Sequence, residues 1–335
     1  MKILIIGGTQ FIGRHIVEAL VAQGDEVTLF HRGRTNPELF DHLEHRLGDR
    51  NSNLSALGEG RWDATIDPSA YVPDQVRTLA AALGDRGGRY VHISSVSVYG
   101  HLEAPGSNED AAHVVLEDPT TDVVDANTYG GLKSLCEQAT NEAFGPGGPG
   151  WTGEPPCIVR PTYVAGPYDH TGRFTWWVER IARGGHVLAP GPKDNPFQVI
   201  DVRDVANFVK LLAHGLGHGV FHVAGPRPPF SFEDFLDTVI NEVGPERTEL
   251  EWVDAQRLVD AGVTEQDFPL WAALSDDRFA SALDPGRALE AGLVIRPLDE
   301  TIRDVHTHEL LAPTPVRSVV GLSAEREAEL RGALG

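Results

Sequence analysis

The sequence predicts an α/β chain built on a doubly wound parallel sheet, with a smaller, interleaved C-terminal domain. Three observations predict it: an apolar opening strand that runs into a glycine turn, alternating strand and helix patterns through the first half, and a composition change near Gly166. The opening reads MKILIIGGTQFIG. Lys2 to Ile6 is β-rich and apolar, as a strand buried on both faces should be. Phe11, Ile12, Ile16, Ala19 and Leu20 then recur at helical spacing. Gly7 permits the tight turn, the missing side chain near Gly8 and Gln10 lets backbone approach a pyrophosphate, and Gly13 lets the helix pack closely on the strand. Free N–H groups at the helix start then face the phosphates. A glycine triplet alone also fits an ordinary strand-to-helix turn, but with these flanks it predicts dinucleotide contacts at Gly7, Gly8, Thr9, Gln10, Phe11, Ile12 and Gly13.

The remaining elements follow in order. Glu26 to Phe30 is a second strand, followed by HRGR, and further apolar pieces lie at Asp63 to Ile66, Tyr90 to Ile93 and Ile158 to Val159. Val76 to Leu83 and Asn127 to Ala143 read as helices between them, so the first half is a Rossmann-type domain. GPGGPGWTGEPP, Gly145 to Pro156, is a surface loop inside that domain. From Gly166, GPYDHTGRFTWWVERIARGG brings in aromatics and arginines, whereas Phe197 to Ala224 reads as strand, helix and strand and rejoins the sheet. The expected boundaries are a dinucleotide-binding domain over 1–165, rejoined by about 196–224, a substrate domain over 166–195 and 225–310, and a tail over 311–335. Ser231 and Asp234 resemble a capping box, and SAEREAELRGALG is a terminal helix or a frayed end.

Composition removes several classes of function. The 335 residues carry 28 Lys plus Arg against 49 Asp plus Glu, a formal net charge of −21, which repels nucleic acids and anionic membranes. Cys136 and Cys157 are the two cysteines, with no CxxC pair, and His214, His218 and His222 fall in a glycine-rich turn and not on one helix face. A metal-free protein in a reducing compartment is expected. No apolar run reaches the ~20 residues of a membrane span and the first is too short for a signal sequence, which predicts a cytoplasmic protein.

Tyr129 and Lys133 stand one turn apart on the helix that contains ANTYGGLKSLCEQA, hence on one face. A nearby cation favours the phenolate, bringing a group with a pKa near ~10 toward the working range of a base. Upstream, YVHISSVSVYG is a strand ending in the hydroxyls of Ser94, Ser95 and Ser97, at the carboxyl edge where a doubly wound sheet places its ligand. A serine-rich turn that satisfies its own backbone is the plainer alternative.

Four segments together, GGTQFIG, SSVSVYG, YGGLK and RPTYVAGP, resemble the extended short-chain dehydrogenase/reductase superfamily, specifically its NAD-dependent epimerase/dehydratase type, from Met1 to about Ala224. The resemblance implies Ser95, Tyr129 and Lys133 as the catalytic set, with Lys133 also holding the ribose and lowering the Tyr129 pKa. It implies that Arg160, Pro161, Thr162 and Tyr163 line a nicotinamide, that Asp49 and Arg50 contact adenine, and that Pro68, Ser69 and Ser94 border the cofactor. It also implies a homodimer to which the Tyr129 helix contributes.

The departures from the family are informative. The second strand ends in His31 and Arg32 where NAD users carry a ribose-binding acid, so NADP(H) is favoured over NAD(H). DPSAYVP replaces the usual small-residue turn, as in an atypical reductase-like subgroup. Val96 and Ser97 stand where a sugar-nucleotide dehydratase has Asp and Glu, and Pro196, Phe197 and Gln198 stand where a diphosphate-gripping arginine is common. Tyr71, Ser97, Tyr168 and Arg173 remain as substrate-binding candidates, although Arg173 and Arg180 read as readily as solvated helix charges and Arg203 as a structural partner of Asp201 or Asp204. The expected activity is NADP-linked hydride transfer to or from a small molecule's carbonyl or hydroxyl carbon. The alternatives are a cofactor-retaining sugar or nucleotide-sugar epimerase, and a non-catalytic nucleotide-binding or regulatory protein.

Overall fold

The computed structural model describes residues 1–264, 266–271, 278–312 and 320–334. β1 (Lys2–Ile6), β2 (Glu26–His31), β3 (Glu44–Leu47), β4 (Ala64–Asp67), β5 (Arg89–Ile93) and β6 (Cys157–Pro161) share one sheet. β7 (Tyr163–Ala165), β8 (His186–Pro190), β9 (Pro196–Phe197) and β10 (Val199–Asp201) leave it, and β11 (Gly219–Val223) returns to its edge. The order β11-β6-β5-β4-β1-β2-β3 is parallel throughout. The chain thus winds outward from β1 in two directions, which opens a crevice at the carboxyl ends of β1 and β4. β3 is the strand that apolar patterning did not reveal: its EHRL sequence is a polar edge that no buried face selects.

α1 (Phe11–Gln23), α2 (Pro73–Leu83), α3 (Tyr129–Phe144), α4 (Arg173–Ala182) and α5 (Val202–Ala213) follow the strands. α1 packs on α5 and α2 on α3, on opposite faces of the sheet. The alternation of a strand decides which residue goes where. Ile3 and Ile5 meet Ile16, Val17 and Phe208, whereas Leu4 and Ile6 meet Leu79, Cys136 and Ala139.

A second hydrophobic core is assembled from β12 (Phe230–Ser231), β13 (Glu249–Val253), α6 (Phe232–Val243), α7 (Ala255–Asp260), α9 (Leu298–Leu311) and α10 (Ala324–Leu334) together with α4 and β8; α8 (Gly286–Glu290) instead faces the main sheet. β13 pairs with β8 and β12 with β9 around Trp177, Phe197, Phe232 and Phe235. Ser231 and Asp234 form the capping box at the start of α6. The terminal helix is docked: Glu327 on α10 accepts from Arg180 Nε at 2.6 Å and from the Leu188 N–H at 2.9 Å. Of the tail beyond residue 310, residues 313–319 and 335 lie outside the described residues. Among the described residues no helix is long and apolar enough to cross a membrane, and no cluster of three or more His, Cys, Asp or Glu is placed to hold a metal ion.

Candidate active site

The glycine turn leaves β1 with backbone and little else exposed. Gly8 has φ +99°, and a Cβ there would lie 2.8 Å from Leu29 Cδ2; a Cβ on Gly13 would lie 3.0 Å from Gly8 Cα. Both sites therefore need glycine for the helix to approach the turn. Gln10 precedes α1 without a side-chain cap, and the first turn of α1 holds no acid, so its N–H groups and positive dipole end are left for an anion. The Thr9 hydroxyl donates to Thr35 O and the Asn36 amide to Thr9 O, both at 2.8 Å, stapling the loop after β2 onto the glycine turn. Phe11 is buried and Ile12 half-buried behind it.

At the end of β2 the expectation for His31 needs correction. Its Nδ1 accepts from the Gly33 N–H at 3.1 Å, so Nε2 carries the proton and donates to His45 Nδ1 at 2.8 Å, and His45 Nε2 donates in turn to Phe40 O. Both ring nitrogens are taken up inside the protein, and burial, with His45 nearby, lowers the His31 pKa, which keeps the ring neutral. His31 is a strut that presents the following turn. Arg32 is exposed on that turn with no ion pair to a described carboxylate, as is Arg34, which sequence reasoning passed over although it sits in the same HRGR signal.

Arg50 is also corrected. Its guanidinium makes a bidentate pair with Asp67 at 2.7 and 2.8 Å and donates to Ser69 Oγ and Gln75 O, so it braces the floor of the cleft and does not face adenine. Burial alone would raise the Asp67 pKa, but the Arg50 charge overrides it and holds the carboxyl at about 2. Asp49 caps the adjoining turn by accepting from the Asn51 N–H. Pro68 and Ser69 are half-buried at the β1–β4 crevice, where Ser69 Oγ donates to Ile6 O.

The chemical centre forms where β5, β6 and α3 converge. Ser95 starts a short 3-10 turn, accepts from the Ser97 N–H at 3.1 Å and shares a 3.0 Å hydrogen bond with the exposed Ser97 hydroxyl. Gly130 lets α3 close on that turn, since a Cβ there would strike Ser97 O at 2.1 Å. Tyr129, the first residue of α3, is thereby brought to Ser95: burial and the Tyr71 phenol raise the Tyr129 pKa, while a hydrogen bond with Ser95 and the Arg173 charge lower it, with a net rise. Lys133 is not the tuner that spacing predicts. It is buried, its Nζ donates to Ile93 O at 2.7 Å and Ala70 O at 2.9 Å, and burial lowers its own pKa. Two of three ammonium donors are used, leaving one. Tyr71 stands above, its ring 5.6 Å from Lys133 Nζ and 6.5 Å from the Tyr129 ring.

Ser94 Oγ and Thr162 Oγ1, at the ends of the neighbouring strands β5 and β6, are buried without a hydrogen-bond partner among the described residues. Buried polar groups are nearly always satisfied, so hydroxyls left open at the carboxyl edge of the sheet that also carries the glycine turn suit a polar cofactor. The uncapped α1, the glycine cradle and these two hydroxyls fit a nicotinamide dinucleotide.

Arg160, expected to line the nicotinamide, also needs correction. Its five N–H groups are all engaged: Nε and Nη2 with Glu137 at 2.9 and 2.6 Å, Nη1 with the Tyr99 hydroxyl and Glu109 O, and Nη2 also with His113 Nε2. The Tyr99 hydroxyl also meets His222 Nε2, His222 Nδ1 donates to Asp284 O at 3.0 Å, and the His222 N–H donates to Glu109. Glu137, one turn beyond Lys133 on α3, is the participant whose spacing was visible in sequence and not used. Pro161 ends β6 beside this network and is buried.

Tyr168 needs correction as well, since it stands outside the centre. The Arg14 guanidinium lies 3.4 Å over its ring and His308 packs at 4.2 Å, on the outer side of α1. The largest cavity that involves it, about 600 Å³, is lined by His15, Arg203 and Thr307 and lies away from Tyr129. Tyr163 stacks on Phe197 at 6.2 Å at the edge of the second core, with the exposed Arg173 guanidinium 5.5 Å over its ring.

The NAD dependent epimerase/dehydratase family matches residues 3–224. The chain belongs to that family. It is a family of enzymes of the extended short-chain dehydrogenase type that work with a nicotinamide dinucleotide. Among solved structures the chain is similar to UDP-glucuronic acid 4-epimerase from Bacillus cereus in complex with NAD, with TM-score 0.67 and 17% identity over 93% of this chain and 97% of that one. It is also similar to the UDP-Glc/GlcNAc 4-epimerase from Campylobacter jejuni, with TM-score 0.69 and 16% identity over 93% and 99%. These likenesses fix the fold. A curated relative, the chloroplast stem-loop binding protein of 41 kDa b from Arabidopsis thaliana, is 27% identical over 248 residues, 68% of this chain. The match spans 59% of that relative's length.

Proposed function

We propose that this family member reduces the carbonyl of a small molecule with NADPH, or runs the reverse oxidation, using Ser95, Tyr129 and Lys133. The observation that supports the reading is geometric: Gly130 lets the start of α3 close on the Ser95 turn, which sets Tyr129 at Ser95 with the buried Lys133 ammonium one helical turn on. When bound, the nicotinamide supplies or accepts the hydride. The Ser95 hydroxyl hydrogen-bonds the substrate oxygen, and the Tyr129 hydroxyl delivers its proton there. Lys133 offers its third N–H to a ribose hydroxyl while Ala70 O and Ile93 O fix its place. The glycine turn and the start of α1 hold the diphosphate, Ser94 and Thr162 meet polar edges of the cofactor, and Arg32 with Arg34 pairs with a 2′-phosphate. Tyr71, Ser97 and Arg173 border the substrate, and residues 166–195 and 225–310 serve as its domain. The expected homodimer would bring the outer faces of α2 and α3 together over the Arg77–Glu142 ion pair.

Tyr129→Phe tests the catalytic assignment. Turnover should fall by ~10²-fold or more while cofactor affinity, read by fluorescence titration, is kept. Unchanged turnover would remove Tyr129 from the mechanism. The folds of the 4-epimerases favour a second reading, a cofactor-retaining epimerase, which predicts dinucleotide that co-purifies and no net consumption of added NADPH.

A further inference from the structure

The loop between β2 and β3, residues 32–43, is tied to the body of the protein at its start, its middle and its end, and one pair of imidazoles makes both outer ties. At the start the Gly33 N–H donates to His31 Nδ1 at 3.1 Å. Toward the end Phe40 O accepts from His45 Nε2 at 2.9 Å, and the rings are joined, His31 Nε2 to His45 Nδ1, at 2.8 Å. In the middle the Thr9–Thr35 and Asn36–Thr9 bonds seat the loop on the glycine turn. Phe40 has φ +66°, a left-handed conformation that a bulky residue keeps only where its surroundings impose it, and the tie on its carbonyl comes from His45.

These partners fix the proton count of the pair. Phe40 O needs a proton on His45 Nε2, the ring-to-ring bond holds one more, and the Gly33 N–H needs His31 Nδ1 bare. Two rings with two protons are neutral. A third proton has one place to go, His31 Nδ1, where it meets the Gly33 N–H. The surroundings offer no described carboxylate paired with either ring. Both rings lie on the face of the sheet that α1 covers, in step with Leu29. On α1, Arg14 pairs with Glu18 and lies over Tyr168, and His15 meets Pro167 O. Glu44 and Arg46 of β3 alternate to the other face, toward Thr28 and Trp62, and Asp49 caps its own turn. Arg32, Arg34, Glu38, Asp41 and His42 of the loop are exposed.

From this we infer that His45 is a positioning residue for the dinucleotide: with His31 it forms an uncharged clasp that holds the loop carrying Arg32 and Arg34 against the glycine turn, and one added proton opens it. The inference rests on the proposed dinucleotide site for what the loop contacts, whereas the clasp is a property of the ligand-free protein. Burial, with His45 nearby, disfavours the charged His31 ring. The clasp is therefore closed at neutral pH and opens as pH falls below the ordinary imidazole value of ~6.5.

The test uses the full chain. NMR of isotope-labelled histidine rings reads tautomer and charge without ligand, and hydrogen exchange of the Gly33 amide reads the clasp. At pH ~7.5 both rings should be neutral with Nε2 protonated, and Gly33 should lose protection in the same step in which His31 gains its proton. Calorimetric titration with NADPH and NADH at pH ~7.5 and ~5.5 reads the consequence. His45→Ala should weaken NADPH about tenfold at the higher pH, because the loop is no longer preorganised. His45→Gln, whose amide accepts from His31 and donates to Phe40 O without titrating, should restore most of that affinity and lose less of it than wild type at the lower pH. Ionisation of the 2′-phosphate is common to wild type and His45→Gln, so the difference between them belongs to the pair. A charged His31 with Gly33 still protected, dinucleotide affinity unchanged in His45→Ala, or parallel acid losses in wild type and His45→Gln would overturn the inference. Equal weakening of NADH and NADPH in His45→Ala would instead remove the 2′-phosphate pairing of Arg32 and leave the positioning role standing. Wild type that binds neither dinucleotide would bring down the proposed function and the positioning role together, while the ring titration would still decide the clasp.

Discussion

Arg160 and Thr162 sit two residues apart at the end of β6, and they belong to opposite kinds of environment. Arg160 has all five donors occupied by Glu137, Tyr99, Glu109 and His113, whereas the Thr162 hydroxyl is buried with no partner among the described residues. The contrast extends to their surroundings. Behind α3 lies a saturated network of charges and rings; along the carboxyl edge of the sheet lie Ser94, Thr162 and the uncapped start of α1, with Arg32 and Arg34 exposed after β2 and without an ion pair among the described residues. Closed valences mark scaffold, and the open hydroxyls at the strand ends mark the ligand side; Arg50 Nε and His92 Nε2 are also buried without a partner among the described residues, yet lie within the scaffold. Position in a motif does not separate the two, because both residues lie in the same family-like segment.

The strongest way to break this comparison is to open the closed side. Arg160→Ala leaves the Glu137 carboxylate buried without its cation, each side chain being 3% exposed in the pair, and should cost about 3–5 kcal/mol of folding stability. Urea unfolding followed by circular dichroism measures it. Replacing both partners, Arg160→Met with Glu137→Leu, should recover much of that loss. A single-variant loss below ~1 kcal/mol would mean that the network is not scaffold.

Acid should attack the same side. Burial, aided by the Arg160 charge, pushes His222 down to about 4, and the network needs its neutral ring, with Nδ1–H donating and Nε2 accepting. The unfolded chain, with an ordinary value near ~6.5, binds more protons between those two values. Stability is therefore full above pH ~6.5 and is lost as pH falls toward ~4, by up to about 3 kcal/mol from this ring. His222→Gln should flatten the slope of stability between pH 7 and 4.5; an unaltered slope would assign the acid sensitivity elsewhere. The Asp67 carboxyl, held at about 2 by Arg50, loses its contribution only at lower pH.

This division explains what the sequence made legible. The glycine turn and the Tyr129–Lys133 pair each lie within one short segment, where chain geometry alone places the groups. The sheet followed from strands that alternate with helices, and only the polar β3 escaped. Arg160 was misread because its strand position is local but its partners are not: Glu137 is 23 residues away and Glu109 is 51. Arg50 likewise meets Asp67 across 17 residues, and His31 meets His45 across 14. A motif tells which strand end a side chain occupies, but whether its donors remain free depends on tertiary neighbours.

On the open side the effects should be smaller and confined to ligand. Arg32→Ala should weaken NADPH about tenfold, roughly 1.4 kcal/mol, and leave NADH unchanged. Adding Arg34→Ala should weaken NADPH further if both arginines face the 2′-phosphate. Isothermal titration with both cofactors measures this, and equal losses for NADH and NADPH would defeat the phosphate pairing.

Thr162→Val should have the smallest effect on the ligand-free protein and is the sharpest probe of the comparison. The two side chains are nearly the same shape, so the substitution removes a hydroxyl and leaves no cavity. If that hydroxyl were part of a closed network, its loss would strand a partner and cost ~1–3 kcal/mol. Here no partner exists among the described residues, so the ligand-free stability should hold within ~0.5 kcal/mol or rise, since a desolvated and unsatisfied group is gone. With cofactor added the sign reverses: the variant should gain less thermal stabilisation than wild type at the same concentration, because a group that bonded the ligand is missing. A variant destabilised without ligand and unchanged with it would place Thr162 on the same side as Arg160.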